Sequence, residues 1–153
     1  MKAYLDIETT FGGEISVIGI YHENGTLIQL VGDEVTGQNL ITSLNKTTTI
    51  VTYNGSRFDL PVIKNRLGTD LKEQFHSSDL MYECWRQNLY GGLKKVEEQL
   101  GVTRDSQGID GWEAMRLWDR YKKNHDLNAL KTLLDYNRDD VINLPILEEK
   151  LSP

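Results

Sequence analysis

The stretch that decides the fold is KAYLDIE, residues 2–8, near the start of the chain. Its aliphatic residues recur at every second position, which is typical of a β-strand with one buried face. Leu5 and Ile7 therefore share the face that is expected in the core. Asp6 and Glu8 share the opposite face, with their carboxylates about 6.5–7 Å apart along the strand. Two carboxylates this close raise each other's pKa unless a cation offsets them, so this face indicates a cation site or, as the alternative, an ordinary solvated strand.

Three more strands are predicted downstream of this one. They are ISVIGIY at residues 15–21, TLIQLV at 26–31 and TTIVTY at 48–53. The first two flank Asn24-Gly25, which predicts a hairpin with a type I′ turn. A short helix is predicted from about Val35 to Leu44, between the third and the fourth strand.

The second half of the chain is predicted to be mainly helical, because capping and breaking residues recur through it. One helix has Pro61 in its first turn and ends at Gly68, a second runs from Ser78 to about Gln87, and a third runs from near Leu93 to Gly101. A fourth has Asp110 and Glu113 at its head and reaches about Lys123. Asp126 precedes a last helix, which Pro145 must kink or split. Strands, a βα unit and then helices predict an α/β fold with a mixed β-sheet flanked by helices. The length fits a single domain over residues 1–153.

The charge balance limits the classes of function. The net charge is −6, from 17 basic and 23 acidic residues, whereas a passive nucleic-acid binder is normally basic. An enzyme that holds divalent cations is compatible with this balance, because the cations themselves attract phosphate. Cys84 is the only cysteine and is predicted to be a small buried hydrophobe. The sequence has no stretch of membrane-spanning length, which predicts a cytoplasmic protein without a membrane partner.

A second group of candidate residues, NGSRFD, lies at 54–59 between a predicted strand and a predicted helix. Ligand groups collect at the ends of strands in α/β folds, so Asp59 is a candidate acidic residue of the same site. A helix N-cap is the alternative for Asp59, core packing for Phe58 and a simple turn for Asn54.

A third group lies inside the last helix. Its apolar stripe recurs at three- and four-residue steps through Leu133, Tyr136, Asp140, Leu144, Leu147 and Leu151. A carboxylate in an apolar stripe is unfavourable unless it is paired or binds a metal, which singles out Asp140. Tyr136 lies one turn earlier, close enough for both side chains to meet one ligand. Asp139 is assigned to the solvated face.

Together these groups resemble the DEDD exonuclease superfamily in its tyrosine-bearing branch. Asp6-Ile7-Glu8-Thr9 is similar to the first motif, and Tyr136-x-x-x-Asp140 to the third. Asn54-x-x-x-Phe58-Asp59 is similar to the second motif in the form found in the proofreading domains of family B DNA polymerases. The chain is identified as a member of the YprB-like family of ribonuclease H-like exonucleases, also through LKKVEEQLG at 93–101, GIDGWEAMRLWDRY at 108–121 and YNRDDVINL at 136–144. The position five residues before Asp140, where the histidine-bearing branch has its histidine, is Asp135.

The resemblance implies a ribonuclease H-like fold and a metal-dependent 3′→5′ exonuclease. It implies two divalent cations, Mg²⁺ or Mn²⁺, with Asp6 bridging both, Glu8 and Asp140 completing the water-activating site and Asp59 serving the leaving oxygen. Tyr136 would orient the attacking water. Phe58 and the backbone around Thr9 would hold the terminal nucleotide, and Asn54 would touch the strand near it. The implied partner is nucleic acid with single-stranded 3′ ends, together with helicase, polymerase or repair proteins.

Basic and aromatic residues outside the motifs give weaker indications. Six basic residues either line a track that binds the phosphates of the substrate or belong to the solvated surface: Arg57, Lys94, Lys95, Lys122, Lys123 and Lys131. Base stacking is one interpretation of Trp85, Trp112 and Trp118, although their helical positions favour core packing.

Two other functions remain compatible with these motifs. One is a structure-specific endonuclease of the same fold, against which the end-binding character of Phe58 and Tyr136 speaks. The other is a non-catalytic nucleic-acid-binding module, which the four retained carboxylates and the acidic net charge disfavour.

Overall fold

A central β-sheet carries the acidic strand. The computed structural model describes residues 1–106 and 108–152, and within them the sheet has five strands. The strands are β1 (Lys2–Thr9), β2 (Ile15–His22), β3 (Leu27–Val31), β4 (Thr49–Thr52) and β5 (His76–Asp79). Their order is β3-β2-β1-β4-β5, so β1 lies in the middle. β1, β2 and β3 pair antiparallel, whereas β1, β4 and β5 run parallel, which confirms the predicted mixed sheet.

Helices cover both faces of this sheet. In the described part of the chain there are seven α-helices: α1 (Gly37–Ser43), α2 (Asp59–Leu67), α3 (Leu71–Gln74), α4 (Leu80–Arg86), α5 (Leu93–Leu100), α6 (Gly111–Asn124) and α7 (Leu127–Leu151). α1 connects β3 to β4. α2 with α3 connects β4 to β5, because parallel neighbours need a crossover. The predicted caps Asp110 and Asp126 accept bonds from the first turns of α6 and α7, and Gly68 and Gly101 end α2 and α5 in the left-handed conformation.

The alternation in β1 divides the core into two layers. On one face, Leu5 and Ile7 pack with Leu60 and Ile63 of α2. On the other, Tyr4 packs with the C-terminal half of α7. The acidic pair of β1 therefore faces α7, as the period of two predicts.

Pro145 does not split α7, which is a single helix of 25 residues. A proline in a helix removes one backbone hydrogen bond. The buried side chains of Leu144, Leu147 and Leu151 around it hold this part of the helix against the sheet. Burial of these leucines, at roughly 1.5–3 kcal/mol each, outweighs a proline penalty of about 3 kcal/mol.

The turn between β2 and β3 is not the predicted type I′ turn. Gly25 has a φ of +94°, but Asn24 keeps a negative φ, whereas a type I′ turn needs both to be positive. The Asn24 side chain instead accepts a hydrogen bond from the N–H of Thr26 at 3.0 Å. His22 bonds to Gly25 and to Thr26, which closes a wider loop.

The prediction of Ser78 as a helix cap is also wrong. Ser78 lies in β5, and the cap of α4 is Asp79, which accepts from the N–H of Met81 at 3.0 Å. β5 escaped prediction because its four residues, HSSD, are polar and carry no apolar alternation.

Two smaller predictions concern Cys84 and the membrane. The Cys84 side chain is fully buried, as predicted, and burial raises the pKa of its thiol to about 11. Among residues 1–106 and 108–152, no helix is both long enough and apolar enough to cross a bilayer.

Candidate active site

Three predicted acidic residues meet where β1 passes under α7. Asp6 and Glu8 extend from β1, and Asp140 extends from α7. One carboxylate oxygen from each lies within 4.8 Å of the other two. Glu8 and Asp140 are buried and Asp6 is half-buried. The fold thus gathers carboxylates that are more than 130 positions apart in the sequence.

Asp59 adjoins this cluster without joining it. It is the first residue of α2 and is buried, and its Oδ2 accepts a hydrogen bond from the N–H of Ile7 at 3.0 Å. Ile7 lies between the two acidic residues of β1. The N-cap position belongs to Phe58, so the helix-cap interpretation of Asp59 is wrong.

The loop before α2 is fixed by close backbone packing. Asn54 has a φ of +62°, a conformation that asparagine tolerates better than most residues. A Cβ on Gly55 would lie 2.2 Å from Oγ1 of Thr52, so this position requires glycine. Asp79 accepts the N–H groups of Asn54 and Ser56 at 2.8 and 3.2 Å. The loop thereby presents Phe58 with 42% of its surface exposed, so the core-packing interpretation of Phe58 is wrong.

A cavity of about 260 Å³ opens onto the acidic cluster. Its lining consists of Asp6, Ile7, Glu8, Thr9, Phe58, Gly111, Met115, Tyr136 and Asp140. Thr9 and Phe58, which the resemblance assigned to nucleotide binding, are therefore cavity residues. Asn54 and Asp59 lie outside this lining.

The carboxylates of the site raise one another's pKa. Burial, followed by the charges of Asp140, Glu8 and Asp59, raises the pKa of Asp6 well above its ordinary value. Burial and the charge of Asp140 raise the pKa of Glu8 to about 8. Burial raises the pKa of Asp59 to about 7, although its bond from Ile7 acts in the opposite direction. The folded protein therefore holds these acids in an environment that strongly favours a neutralising cation.

Asn137, which was not predicted from the sequence, orients the two acidic side chains of β1. Its Nδ2 lies 3.3 Å from Oε2 of Glu8 and 3.4 Å from Oδ2 of Asp6. Its Oδ1 accepts from Nε2 of Gln29 at 3.0 Å, which fixes the direction of the amide. Gly19, which lies opposite Asp6 in the β1–β2 pair, leaves room for this amide, because a Cβ there would be 2.2 Å from Oδ1.

Tyr136 is buried one turn before Asp140, as its place in the apolar stripe predicted. Its hydroxyl oxygen accepts a hydrogen bond from Nζ of Lys94, which is half-buried rather than part of the solvated surface. Burial and the charges of Asp140, Glu8 and Asp6 raise the pKa of the Tyr136 hydroxyl far above its usual range. Tyr136 is therefore a neutral phenol at the edge of the acidic cluster.

Another buried carboxylate, Glu97, is linked to the site through Arg104. Arg104, in the loop after α5, bonds to Glu97 with Nε at 2.6 Å and with Nη2 at 3.2 Å, and Nη2 also bonds to Oδ1 of Asp140. Neither residue was predicted from the sequence. The sequence did contain a signal for Glu97, because Leu93 lies four residues before it and Leu100 three residues after it, on the same helix face. Glu97, like Asp140, is a carboxylate in an apolar stripe, which is unfavourable unless the carboxylate is paired or binds a metal.

The assignment of Asp139 to a solvated face is wrong. Asp139 is only 2% exposed, and its Oδ2 accepts from the N–H of Ser106 at 2.8 Å and from the Ser106 hydroxyl. The carboxylate thus anchors the loop between α5 and α6. This partner lies 33 residues away, so no local pattern announces it.

The predicted basic and aromatic residues are mostly outside the cavity. Lys123 and Lys131 pair on the surface with Asp119 and Asp135 at 2.9 Å. Trp118 is buried, but Trp112 and Trp85 are 58% and 37% exposed, so core packing was the wrong expectation for these two.

The donor set of the cluster fits a hard divalent cation. Among the described residues, the group close enough to share an ion contains carboxylates alone, with no histidine or cysteine. Oxygen ligands suit Mg²⁺ and Mn²⁺. These carboxylates are largely buried and repel one another, so a bound cation would offset a repulsion that solvent does not screen.

The fold and the acidic cluster define a ribonuclease H-like protein. The chain matches the RNase_H superfamily over residues 3–152 and belongs to this family. It is 28% identical over 166 aligned residues to "Uncharacterized protein YprB" of Bacillus subtilis (strain 168), covering 92% of this chain and 39% of that protein. This chain therefore spans well under half the length of that relative.

The structure also resembles a much larger enzyme. The family B DNA polymerase from the hyperthermophilic archaeon Pyrobaculum calidifontis matches with a TM-score of 0.76 and 19% identity, over 98% of this chain and 24% of the polymerase. The predicted fold class and the resemblance to the YprB-like family are thus confirmed. Family and fold together make this chain a ribonuclease H-like domain.

Proposed function

We propose that this protein is a metal-dependent 3′→5′ exonuclease that hydrolyses phosphodiester bonds at single-stranded ends of nucleic acid. The observation that carries the proposal is the cluster of Asp6, Glu8 and Asp140, whose oxygens lie within 4.8 Å on the wall of a cavity. The 3′→5′ polarity follows from the resemblance of the three motifs to the DEDD exonuclease superfamily.

The acidic residues would hold the cations. Asp6, Glu8 and Asp140 form the group that can share an ion, and Asp59 would complete the set from the other side of Ile7. Two bound divalent cations would polarise the phosphodiester and lower the pKa of the attacking water. Asn137 keeps Asp6 and Glu8 aimed at the cavity, because its amide donates toward both carboxylates.

Tyr136 would act as a hydrogen-bond donor. The Lys94 ammonium can only donate, so it uses a lone pair of the phenol oxygen and leaves the hydroxyl hydrogen free for another partner. The raised pKa keeps that hydrogen on the oxygen. Tyr136 therefore positions the attacking water or a phosphate oxygen, and does not accept the proton itself.

The cavity suits one terminal nucleotide. Its volume of about 260 Å³ lies just below the usual range for small-ligand pockets, too small for a duplex. The exposed ring of Phe58 stands on its wall, where it would stack on a frayed terminal base. A binding site for a single end favours an exonuclease over an endonuclease.

An aromatic pair beside the cavity would receive the rest of the strand. Phe11 and Trp112 are both more than half exposed and meet edge to face, with ring centres 6.3 Å apart. The Arg116 guanidinium lies 5.2 Å from the Trp112 ring. Trp112 follows Gly111, which lines the cavity, so bases next to the end could stack here while Arg116 contacts a phosphate.

The test uses 5′-labelled single-stranded DNA and RNA with Mg²⁺, Mn²⁺ or EDTA. We expect a ladder that shortens from the 3′ end with either metal and no product with EDTA. Asp6→Asn is the control for a contaminating nuclease, and Asp119→Asn is the matched exposed control. Internal cuts in a labelled four-way junction would indicate an endonuclease, and binding without any cleavage would indicate a non-catalytic module; either result would overturn the proposal.

A further inference from the structure

We infer that Arg104 is a positioning residue that fixes the carboxylate of Asp140 for cation binding, and that Glu97 holds Arg104 in place. This inference rests on the proposed cation site. It assigns a role to two residues that lie outside the three exonuclease motifs.

The geometry is that of a clamped guanidinium. Nε and Nη2 of Arg104 bond to the two oxygens of Glu97 at 2.6 and 3.2 Å. A planar guanidinium held by both oxygens of one carboxylate has a defined orientation, which a single ammonium contact does not provide. Nη2 then meets Oδ1 of Asp140. The side chains of all three residues are at most 8% exposed.

The Glu97 carboxylate is held from two sides. It is 1% exposed, and its carboxylate is satisfied by Arg104 and by Nδ2 of Asn143 at 3.1 Å. The same amide of Asn143 donates to the carbonyl of Thr103 at 3.2 Å, next to Arg104 in the chain. Asn143 lies almost one turn after Asp140 on α7. The loop that carries Arg104 is thus fastened to the helix that carries the metal ligand.

Charge alone does not account for this arrangement. Glu97 cancels the charge of Arg104, so the pair adds no net charge to the acidic cluster. What the pair adds is direction, because Arg104 engages one oxygen of Asp140 and leaves the second available to a cation. Partners that orient metal ligands typically change metal affinity by about 10–100-fold when removed.

The opposite reading of the same contact is that the guanidinium occupies the cation's place. In that case removal of Arg104 would strengthen metal binding, whereas a positioning role requires that it weaken. The sign of the change therefore separates the two readings.

The decisive variant is Glu97→Gln/Arg104→Gln, which removes one charge of each sign and leaves the net charge unchanged. Arg104→Lys keeps the charge but loses the two-pronged contact. Lys123→Gln/Asp119→Asn is the matched control, because it removes an ion pair from the surface of helix α6. Mn²⁺ binding is measured calorimetrically without substrate, and melting in EDTA reports whether each variant is folded.

We expect the paired variant to bind Mn²⁺ about tenfold or more weakly, Arg104→Lys to fall between it and the wild type, and the control to be unchanged. The inference would be overturned if the paired variant and Arg104→Lys are both folded and bind Mn²⁺ as tightly as the wild type or more tightly. Wild-type protein that binds Mn²⁺ in an Arg104-dependent way, yet degrades no nucleic acid, would support the inference and overturn the proposed function. Wild-type protein that binds no Mn²⁺ would overturn both.

Discussion

The Lys94 ammonium lies 4.4 Å from the centre of the Tyr136 ring and also donates to the Tyr136 hydroxyl. α5 and α7 are therefore joined at the residue that is proposed to donate a hydrogen bond to the reacting groups. Because the ammonium uses the acceptor side of the hydroxyl, the role of Tyr136 depends on its single hydrogen.

The first prediction removes that hydrogen. Tyr136→Phe keeps the buried ring, so the variant should fold and bind Mn²⁺ as the wild type does. Its single-turnover rate should fall by about one to three orders of magnitude, with little change in half-saturating substrate, because positioning is lost in the chemical step. Tyr121→Phe, on α6, is the matched control. A wild-type rate in the Tyr136 variant would make Tyr136 a core residue only.

The second prediction concerns Asp6, the residue whose pKa is raised by every other acid of the site. Asp6→Asn should lower hydrolysis by about three orders of magnitude or more, because cation binding supplies several kcal/mol to the reaction. In EDTA the variant should melt about 2–4 °C higher if relief of repulsion is worth about 1 kcal/mol. Unchanged turnover in the purified variant would refute the assignment of Asp6 as a cation ligand. An unchanged melting temperature would refute the repulsion between Asp6 and the other acids of the site.

The third prediction is a fall in stability of the metal-free protein with rising pH. Glu8 and Asp59 have folded-state pKa values of about 8 and about 7, above their ordinary 4.5 and 3.8. The folded protein holds more protons than the unfolded chain between these limits, so the free energy of unfolding falls as pH rises through them. Cations bind the ionised acids, so Mn²⁺ should stabilise more at about pH 8 than at about pH 5. Melting curves in EDTA and in Mn²⁺ at both pH values test this, and a metal-free protein that gains stability toward pH 8 would contradict it.

The fourth prediction concerns the end of the strand. Phe58→Ala should raise half-saturating single-stranded substrate by about 5- to 150-fold, because stacking on an aromatic ring is worth about 1–3 kcal/mol per base. Trp85→Ala, an exposed aromatic on α4 away from the cavity, is the control. A bulky group on the 3′ end should stop degradation by the wild type. Equal degradation of blocked and free strands would exclude the assigned polarity.

The parts of the site that the sequence predicts are those set by local periodicity. A period of two placed Asp6 and Glu8 on one face of β1, and a helical stripe placed Tyr136 and Asp140 on one face of α7. Local geometry converts such patterns directly into shared faces. The acidic cluster follows once two such faces are packed together.

What escaped prediction depends on contacts between distant segments. Arg104 and Ser106 lie in a loop without periodicity, and each is defined by a partner on α7 at least 33 positions later. Trp112 was expected to be buried, because a helical tryptophan usually is. It lies in the first turn of α6 and is exposed. Tertiary packing decides these cases, and a single sequence does not encode it as a pattern.

Gly19 shows how far the demands of the site reach into the rest of the chain. It carries no group that could bind a cation or a nucleotide, and it lies on β2 rather than on an element that bears an acidic ligand. A methyl group there would meet the Asn137 amide at 2.2 Å and turn it away from the acids it orients. Substitution of Gly19 should therefore be tolerated as poorly as substitution of Asp6 or Glu8. The reason is steric, because Gly19 has no chemical role of its own.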